Sequence, residues 1–318
     1  MDTSSFKSEF ANVNGIRLHY LDWGGNGTAL IFLSGMGNSA YIYSKFAARF
    51  ADKFRVIALT RRGHGDSDYP ETGYDVDTLT DDVRHFMDLL GIDKAILAGH
   101  SMSNVELCHF AALYPERIEK LVFLDAAYDR TSSIWKKITE KNPQGKIQIA
   151  GADDDNYSIE DHAASRKKYS PFWADIWGEA VNEDLLHIVK KDPDGKIIYK
   201  MPFTIGSALM STMNRYTPED SKIRAPVLSI YALNGGDYYY SLDFMTDEEK
   251  ELVIEYVDKV RPSLQRDLIE QFRHDVPHAV IVEIPNGHHY CFIKHNDFVF
   301  DEMRKFLSDN VVINQQSA

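Results

Sequence analysis

Gly99-His100-Ser101-Met102-Ser103 sets a hydroxyl among small residues, after the apolar run Ala95-Ile96-Leu97-Ala98 and before a helix-like stretch from Val105 to Tyr114. A strand that breaks sharply into a helix with serine at the apex lifts that hydroxyl above the sheet edge. It also aims the first amides of the helix, that of Met102 foremost, at whatever the hydroxyl attacks. The turn is so tight that bulky neighbours would clash, which is why small residues surround it. A serine hydroxyl is a poor nucleophile until a base takes its proton. An imidazole does this near neutral pH, and a carboxylate fixes its tautomer and stabilises the imidazolium. Such a set attacks carbonyl carbon and passes through an acyl intermediate. Histidines crowd one place, Gly287-His288-His289, just before Cys291 and His295. These four also suggest zinc. Adjacent His288 and His289 share an ion with Cys291 only if the loop wraps tightly, however, and the spacing matches no common ligand pattern. No metal is therefore expected.

Positioning these groups requires a sheet. Ala29–Leu33, Arg55–Leu59, Ala95–Ala98, Leu121–Leu124, Pro226–Tyr231 and Ala279–Ile284 read as strands, most of them apolar throughout. Ile16–Asp22 alternates, as an outer antiparallel strand would. Leu79–Leu90 has helical spacing with Val83, Phe86, Met87 and Leu90 on one face. Asp297–Leu307 reads as the last helix, with Phe298, Met303 and Phe306 as core candidates. Strand and helix alternate, which predicts a mostly parallel sheet covered on both faces. The alternation stops between 128 and 217. Trp135, Tyr157, Tyr169, Phe172, Trp173, Trp177, Tyr199 and Phe203 fall there without a buried strand. This stretch is expected to be an inserted, mainly helical cap, with 1–127 and 218–318 forming the core. A second long insertion, 234–277, carries charged helical stretches.

The chain has 318 residues, 44% hydrophobic and 26% charged, as in an ordinary globular protein with one large domain or a core plus insertion. A net charge of −13 argues against a nucleic-acid partner, whose phosphates need clustered Lys and Arg. Met1–Phe6 has no basic segment leading into an apolar one, and no apolar run spans a bilayer. A cytoplasmic location is expected, with Cys108 and Cys291 as reduced thiols and Cys108 as core filler.

Four motifs, in order along nearly the whole chain, resemble the α/β-hydrolase superfamily and its cap-bearing esterase, dehalogenase and C–C-hydrolase branch. Phe32-Leu33-Ser34-Gly35-Met36-Gly37 stands where the family has a His-Gly motif, with Ser34 in place of the histidine. The resemblance implies that the Met36 amide, with that of Met102, forms an oxyanion hole. Thr60-Arg61-Arg62-Gly63-His64-Gly65-Asp66-Ser67-Asp68 is similar to a structural family loop, with Thr60 at its usual aspartate. The serine turn has Ser103 where the family has glycine. Ile284-Pro285-Asn286-Gly287-His288-His289 matches the Gly-His pair that carries the family's histidine, which selects His288 over His289. For the acid, two family positions remain. Asp125 ends the strand after the serine helix. Asp237 follows a later strand in Asn234-Gly235-Gly236-Asp237, displaced from the usual place. Asp125 is preferred and Asp237 is kept as the alternative acid.

The resemblance implies an α/β-hydrolase fold and a serine hydrolase without cofactor, acting on a small, largely apolar ester or related acyl compound. The substrate pocket is expected between the carboxyl edge of the sheet and the cap. Serine at the elbow argues against dehalogenase or epoxide-hydrolase chemistry, for which the resemblance implies aspartate. C–C bond hydrolysis, perhydrolase activity and a receptor-like protein with slow turnover remain as alternatives.

Overall fold

Ala29–Leu33 (β3) is apolar at every position, because both of its faces are covered. Alternate residues of a strand point to opposite sides. Ala29, Ile31 and Leu33 pack in one core, while Leu30 and Phe32 pack in the other. The computed structural model describes residues 5–149, 155–233 and 238–308. Around β3 it builds an eight-stranded sheet from Lys7–Val13 (β1), Ile16–Gly24 (β2), β3, Arg55–Leu59 (β4), Ala95–His100 (β5), Ile118–Leu124 (β6), Val227–Leu233 (β9) and Val280–Pro285 (β10). The spatial order is β1-β2-β4-β3-β5-β6-β9-β10. β1 and β2 run antiparallel at one edge, and the pairings from β4 to β10 are parallel. The chain passes over β3 to lay down β4 and then returns to β5, which opens a crevice at the carboxyl ends of β3 and β5.

On one face, Val76–Leu89 (α1), Asn104–Leu113 (α2) and Arg261–Asp275 (α9) pack through Val83, Phe86, Leu107, Phe110, Leu268 and Phe272. On the other, Tyr43, Phe46, Phe50, Val299, Met303 and Phe306 close the sheet, the last three from Asn296–Ser308 (α11). Each such buried side chain contributes about 1.5–3 kcal/mol relative to exposure. Phe298 is 45% exposed, contrary to the sequence expectation. The buried stripe runs Val299, Met303, Phe306, and Phe298 lies about 100° round the helix from it. β1 escaped the sequence reading because only Ala11 and Val13 of its seven residues are buried.

Between β6 and β9 the chain forms Ser133–Lys141 (α3), Ile159–Tyr169 (α4), Pro171–Ala174 (α5), Glu179–Ile188 (α6) and Phe203–Arg215 (α7), with a small hairpin of Val189–Lys191 (β7) and Ile197–Tyr199 (β8). Asp247–Glu255 (α8) follows β9 and leads through a π-helical turn into α9. Cys291–Lys294 (α10) joins β10 to α11. Among the described residues no helix is long and apolar enough to cross a membrane. Both cysteines are free thiols.

Candidate active site

Ser101 follows β5 directly and has φ +55°, a left-handed conformation that costs a non-glycine residue energy and is held by its surroundings. A Cβ at Gly99 would stand 2.6 Å from Ser103 Cβ and 2.9 Å from Leu107 Cδ1, so the turn closes only with glycine there. Ser103, at the family's glycine position, fits and adds a brace. Its hydroxyl lies 3.0 Å from the Leu33 carbonyl and 2.9 Å from that of Ser34. Arg61 donates to the same Ser34 carbonyl at 3.1 Å and pairs with the buried Glu106. The loop after β3 is thereby tied to the serine turn. A Cβ at Gly35 would come within 3.3 Å of Ser101 Cβ, which brings the Gly35-Met36 chain against the serine. The rest of the Arg61–Asp68 loop is structural too. Arg62 makes two bonds to Asp82, and buried His64, its pKa pushed down to about 3 by desolvation, bonds to the Arg62 carbonyl.

Asp125 ends β6 with φ +47° and is 2% exposed. Its Oδ1 accepts from Tyr128 Oη at 2.7 Å and from the Ala232 amide at 3.1 Å. Its Oδ2 lies 2.6 Å from Nδ1 of His289. A carboxylate only accepts, so Nδ1 carries the proton, and Nε2 of neutral His289 keeps a lone pair. The expected base, His288, goes elsewhere. Its Nε2–H donates to the Phe172 carbonyl at 2.9 Å, and its Nδ1 accepts from the Tyr290 amide at 3.0 Å. Both ring nitrogens are occupied, and burial lowers its pKa to about 4. His288 is a strut between the loop after β10 and α5, and His289, not the expected His288, is the histidine bonded to Asp125. The physical reason lies in the turn before them. Asn286 has φ +52°, and the Gly287 amide donates to the Leu233 and Ile284 carbonyls at 3.0 Å. That pinned turn sends the first histidine to α5 and the second to Asp125. Asp237, the alternative acid, lies outside the described residues.

His100 completes the arrangement from below. Its Nε2–H donates to the His289 carbonyl at 2.9 Å, and its ring lies 4.5 Å from that of His289. Burial, with the neighbouring His289 second, pushes its pKa well down. Ser101 Oγ makes no hydrogen bond among the described residues, and it shares a cavity wall with His289 and Asp125.

That cavity, of about 340 Å³, lies at the carboxyl edge of the sheet. Trp135, Ile138 and Met210 from α3 and α7 give it carbon surface, with Tyr128 and Tyr256. It is not the apolar pocket expected. Arg130, Arg261, Gln265, Asn142, Asn214 and Thr139 also line it. Sequence reasoning did not select any of these polar residues. Arg130 stands on the same strand-end loop as Asp125, which is a usable signal in retrospect. Arg261 and Gln265 come from α9, far along the chain and on a helix that reads as a solvated charged stretch.

The segment between β6 and β9 is fastened to the sheet by polar groups. Asp184 of α6 accepts from Asn38 Nδ2 and the Ser39 amide at 2.7 Å and from Ser39 Oγ at 2.6 Å. Tyr290 donates to Asn38 Oδ1 at 2.8 Å, so the Asn38 amide joins that segment to the histidine loop. Burial raises the Asp184 pKa to about 6 against these hydrogen bonds. Of the four donors considered for zinc, His288 bonds to Phe172 and His289 to Asp125. Among the described residues no group of three metal-binding side chains is placed to hold an ion.

The model of the family described as alpha/beta hydrolase fold matches residues 28–295. Epoxide hydrolase 1 of Caenorhabditis elegans is 35% identical over 118 residues, 36% of this chain and 29% of that protein. The 2-(acetamidomethylene)succinate hydrolase of Mesorhizobium japonicum is 35% identical over 101 residues, 32% of this chain and 36% of its own length. The matches thus span about a third of these curated relatives. Among solved structures, E-2-(acetamidomethylene)succinate hydrolase superposes with a TM-score of 0.71 at 18% identity, covering 96% of this chain and 100% of that one. The enol-lactonase from Burkholderia xenovorans LB400 superposes with a TM-score of 0.62 at 20% identity, covering 95% and 100%. At such identities these likenesses speak for the fold.

Proposed function

The chain belongs to the α/β-hydrolase-fold family, and from that premise we propose that it is a serine hydrolase that cleaves a small ester or related acyl compound through an acyl-enzyme. The observation that carries this reading is the 2.6 Å bond between His289 Nδ1 and Asp125, on the wall of the cavity that also exposes Ser101. In this reading His289 Nε2 takes the proton of Ser101 Oγ as the oxygen attacks the carbonyl carbon. The Met36 and Met102 amides receive the oxyanion from the two loops that meet at the serine. Asp125 holds the tautomer and stabilises the imidazolium, while its bonds from Tyr128 and Ala232 hold Asp125 itself. His289 then protonates the leaving oxygen. Water, deprotonated by the same nitrogen, releases the acid.

The described residues between 128 and 217 serve as the cap, latched by Asp184 and by the His288–Phe172 bond, with Trp135 and Met210 on the cavity that Ser101 lines. The epoxide hydrolases among the relatives do not extend their named reaction here. The elbow residue is serine, and an acyl-serine is the covalent species it forms. One observation favours the receptor-like alternative: Ser101 Oγ is not bonded to His289. Catalytic hydrogen bonds often tighten only with substrate bound. The test is a stopped-flow burst of p-nitrophenol from short p-nitrophenyl esters, with Ser101→Ala as control. A burst near one equivalent is expected, with a loss of at least about a thousandfold in kcat for Ser101→Ala and unchanged circular dichroism. Near-normal turnover by Ser101→Ala would refute the serine mechanism. A single equivalent of product with no further turnover would favour the receptor-like reading.

A further inference from the structure

Arg130 stands on the loop that leaves β6, five residues beyond Asp125. It lines the main cavity and also a second, smaller recess, and both open onto Ser101. Among the described residues no carboxylate pairs with it. Its guanidinium is held instead over the Trp135 ring, 4.7 Å from the centroid. Burial draws its pKa down to about 10, so the group stays charged at neutral pH. Arg130 is half-buried, and a charge partly withdrawn from water without an opposite partner is costly. A guanidinium offers five N–H donors in a planar fork, the match for a carboxylate. The chain as a whole, at −13, repels anions at long range, so an anionic ligand would need a local cation of this kind. Arg261 lines the same cavity.

We propose that Arg130 anchors a carboxylate borne by the substrate, so that the compound cleaved at Ser101 is a half-ester or related acyl derivative of a small dicarboxylic acid. The inference rests on the serine-hydrolase reading for its reaction and on the cavity alone for its binding. In the reaction the Ser101 Oγ–carbon bond forms and the bond to the leaving oxygen breaks. The proton passes from Oγ through His289 to that oxygen, and water later returns a proton to Ser101. Through both steps the second carboxylate stays ionised on Arg130. Trp135, Ile138 and Met210 give the same cavity the carbon surface for the chain that links the two ends. A neutral acyl chain in the same place would bury carbon against the guanidinium and leave its donors unmatched.

The test compares esters that share a leaving group and chain length. Monoethyl succinate and monoethyl glutarate are set against ethyl butyrate and ethyl valerate, with acid release followed by pH-stat. In the wild type, kcat/KM for at least one half-ester is expected to exceed that of its neutral counterpart by about tenfold or more, the factor set by 1.4 kcal/mol. Arg130→Met should lower that ratio at least about tenfold, and Arg130→Lys should restore part of it. A wild-type preference for the neutral ester, or an unchanged ratio in Arg130→Met, overturns the proposal. Binding is read separately by calorimetry of succinate and glutarate with Ser101→Ala protein. At least one diacid should bind, and about tenfold more weakly when Arg130→Met is added. Binding with that dependence but no turnover of any ester would sustain the anchor and refute the hydrolase reading. Failure of both diacids to bind would refute the anchor whatever the turnover. Circular dichroism of each variant identifies misfolding, and if Arg130→Met does not fold, Arg130→Gln takes its place in both arms.

Discussion

The floor and the wall of the cavity are specified in different ways. The floor is backbone. Ser101, Asp125 and the histidine pair sit at the ends of β5, β6 and β10; Ser101 and Asp125 are themselves left-handed, at φ +55° and +47°, and Asn286, two residues before His288, is at +52°. Close contacts such as Gly99 against Ser103 fix those turns. The wall is side chain. Arg130, Trp135, Met210, Tyr256 and Arg261 arrive from four separate segments, and none of them has a left-handed backbone. A floor built of strained backbone on a rigid sheet holds the reacting atoms in place. A wall built of side chains on helices can change its chemistry without disturbing them. Reaction and substrate choice should therefore be separable.

The largest effect should come from the floor. Asp125→Asn keeps the shape but favours the wrong imidazole tautomer, so kcat should fall by several orders of magnitude, about ten-thousandfold in the triad precedent. If floor and wall are independent, the ratio of half-ester to neutral-ester kcat/KM should stay as it is while both rates collapse. A ratio that shifts with Asp125→Asn would show that the carboxylate also shapes the wall. A mild loss in kcat would show that another group orients the histidine.

A smaller effect concerns the fastening of floor to wall and is read in stability. His19, His64 and His288 are buried and neutral, with desolvation the main reason that each pKa falls, to about 4, 3 and 4. Unfolding returns each to about 6.5, so below that pH the unfolded chain binds more protons. Their contribution is complete above about pH 6.5 and is lost as pH falls toward 4. Asp184, raised to about 6 by burial, acts in the opposite sense. Its folded form holds a proton that the unfolded one releases, so its contribution grows as pH falls through 6. Asp220, raised to about 6 by burial, acts as Asp184 does, but the three histidines outnumber the two acids, and urea midpoints should drop between pH 7.5 and 5. His288→Gln removes one titrating group and should flatten that drop. An identical pH slope in wild type and His288→Gln would contradict the assignment of His288 as a buried neutral strut.

What the sequence made legible follows the same division. The strand–turn–helix at Ser101 could be read because its constraints are local: an apolar strand, a glycine that admits no Cβ, then a helix. β3 and β5 were legible for the same reason. Asp125 was found by its place at a strand end. The step from His288 to His289 was not legible, since a single residue in a pinned turn reverses which ring meets Asp125, and the Gly-His motif says nothing of that rotation. Arg130 and Arg261 were missed because charged residues in loops and helices ordinarily face water. Their place in the cavity comes from packing between distant segments. Phe298 failed by the simplest route, a hydrophobic residue one step off a helical stripe.

The central claim is that Ser101 reacts and that His289, rather than its neighbour, activates it. The most direct measurement is the second-order rate of covalent labelling by a fluorophosphonate, with the modified peptide mapped, in wild type, His289→Ala and His288→Gln. The label is expected on Ser101, about a hundredfold or more slower in His289→Ala, where the base is missing, and within a few-fold of wild type in folded His288→Gln. Labelling at another residue, or a larger loss in folded His288→Gln than in His289→Ala, would contradict it.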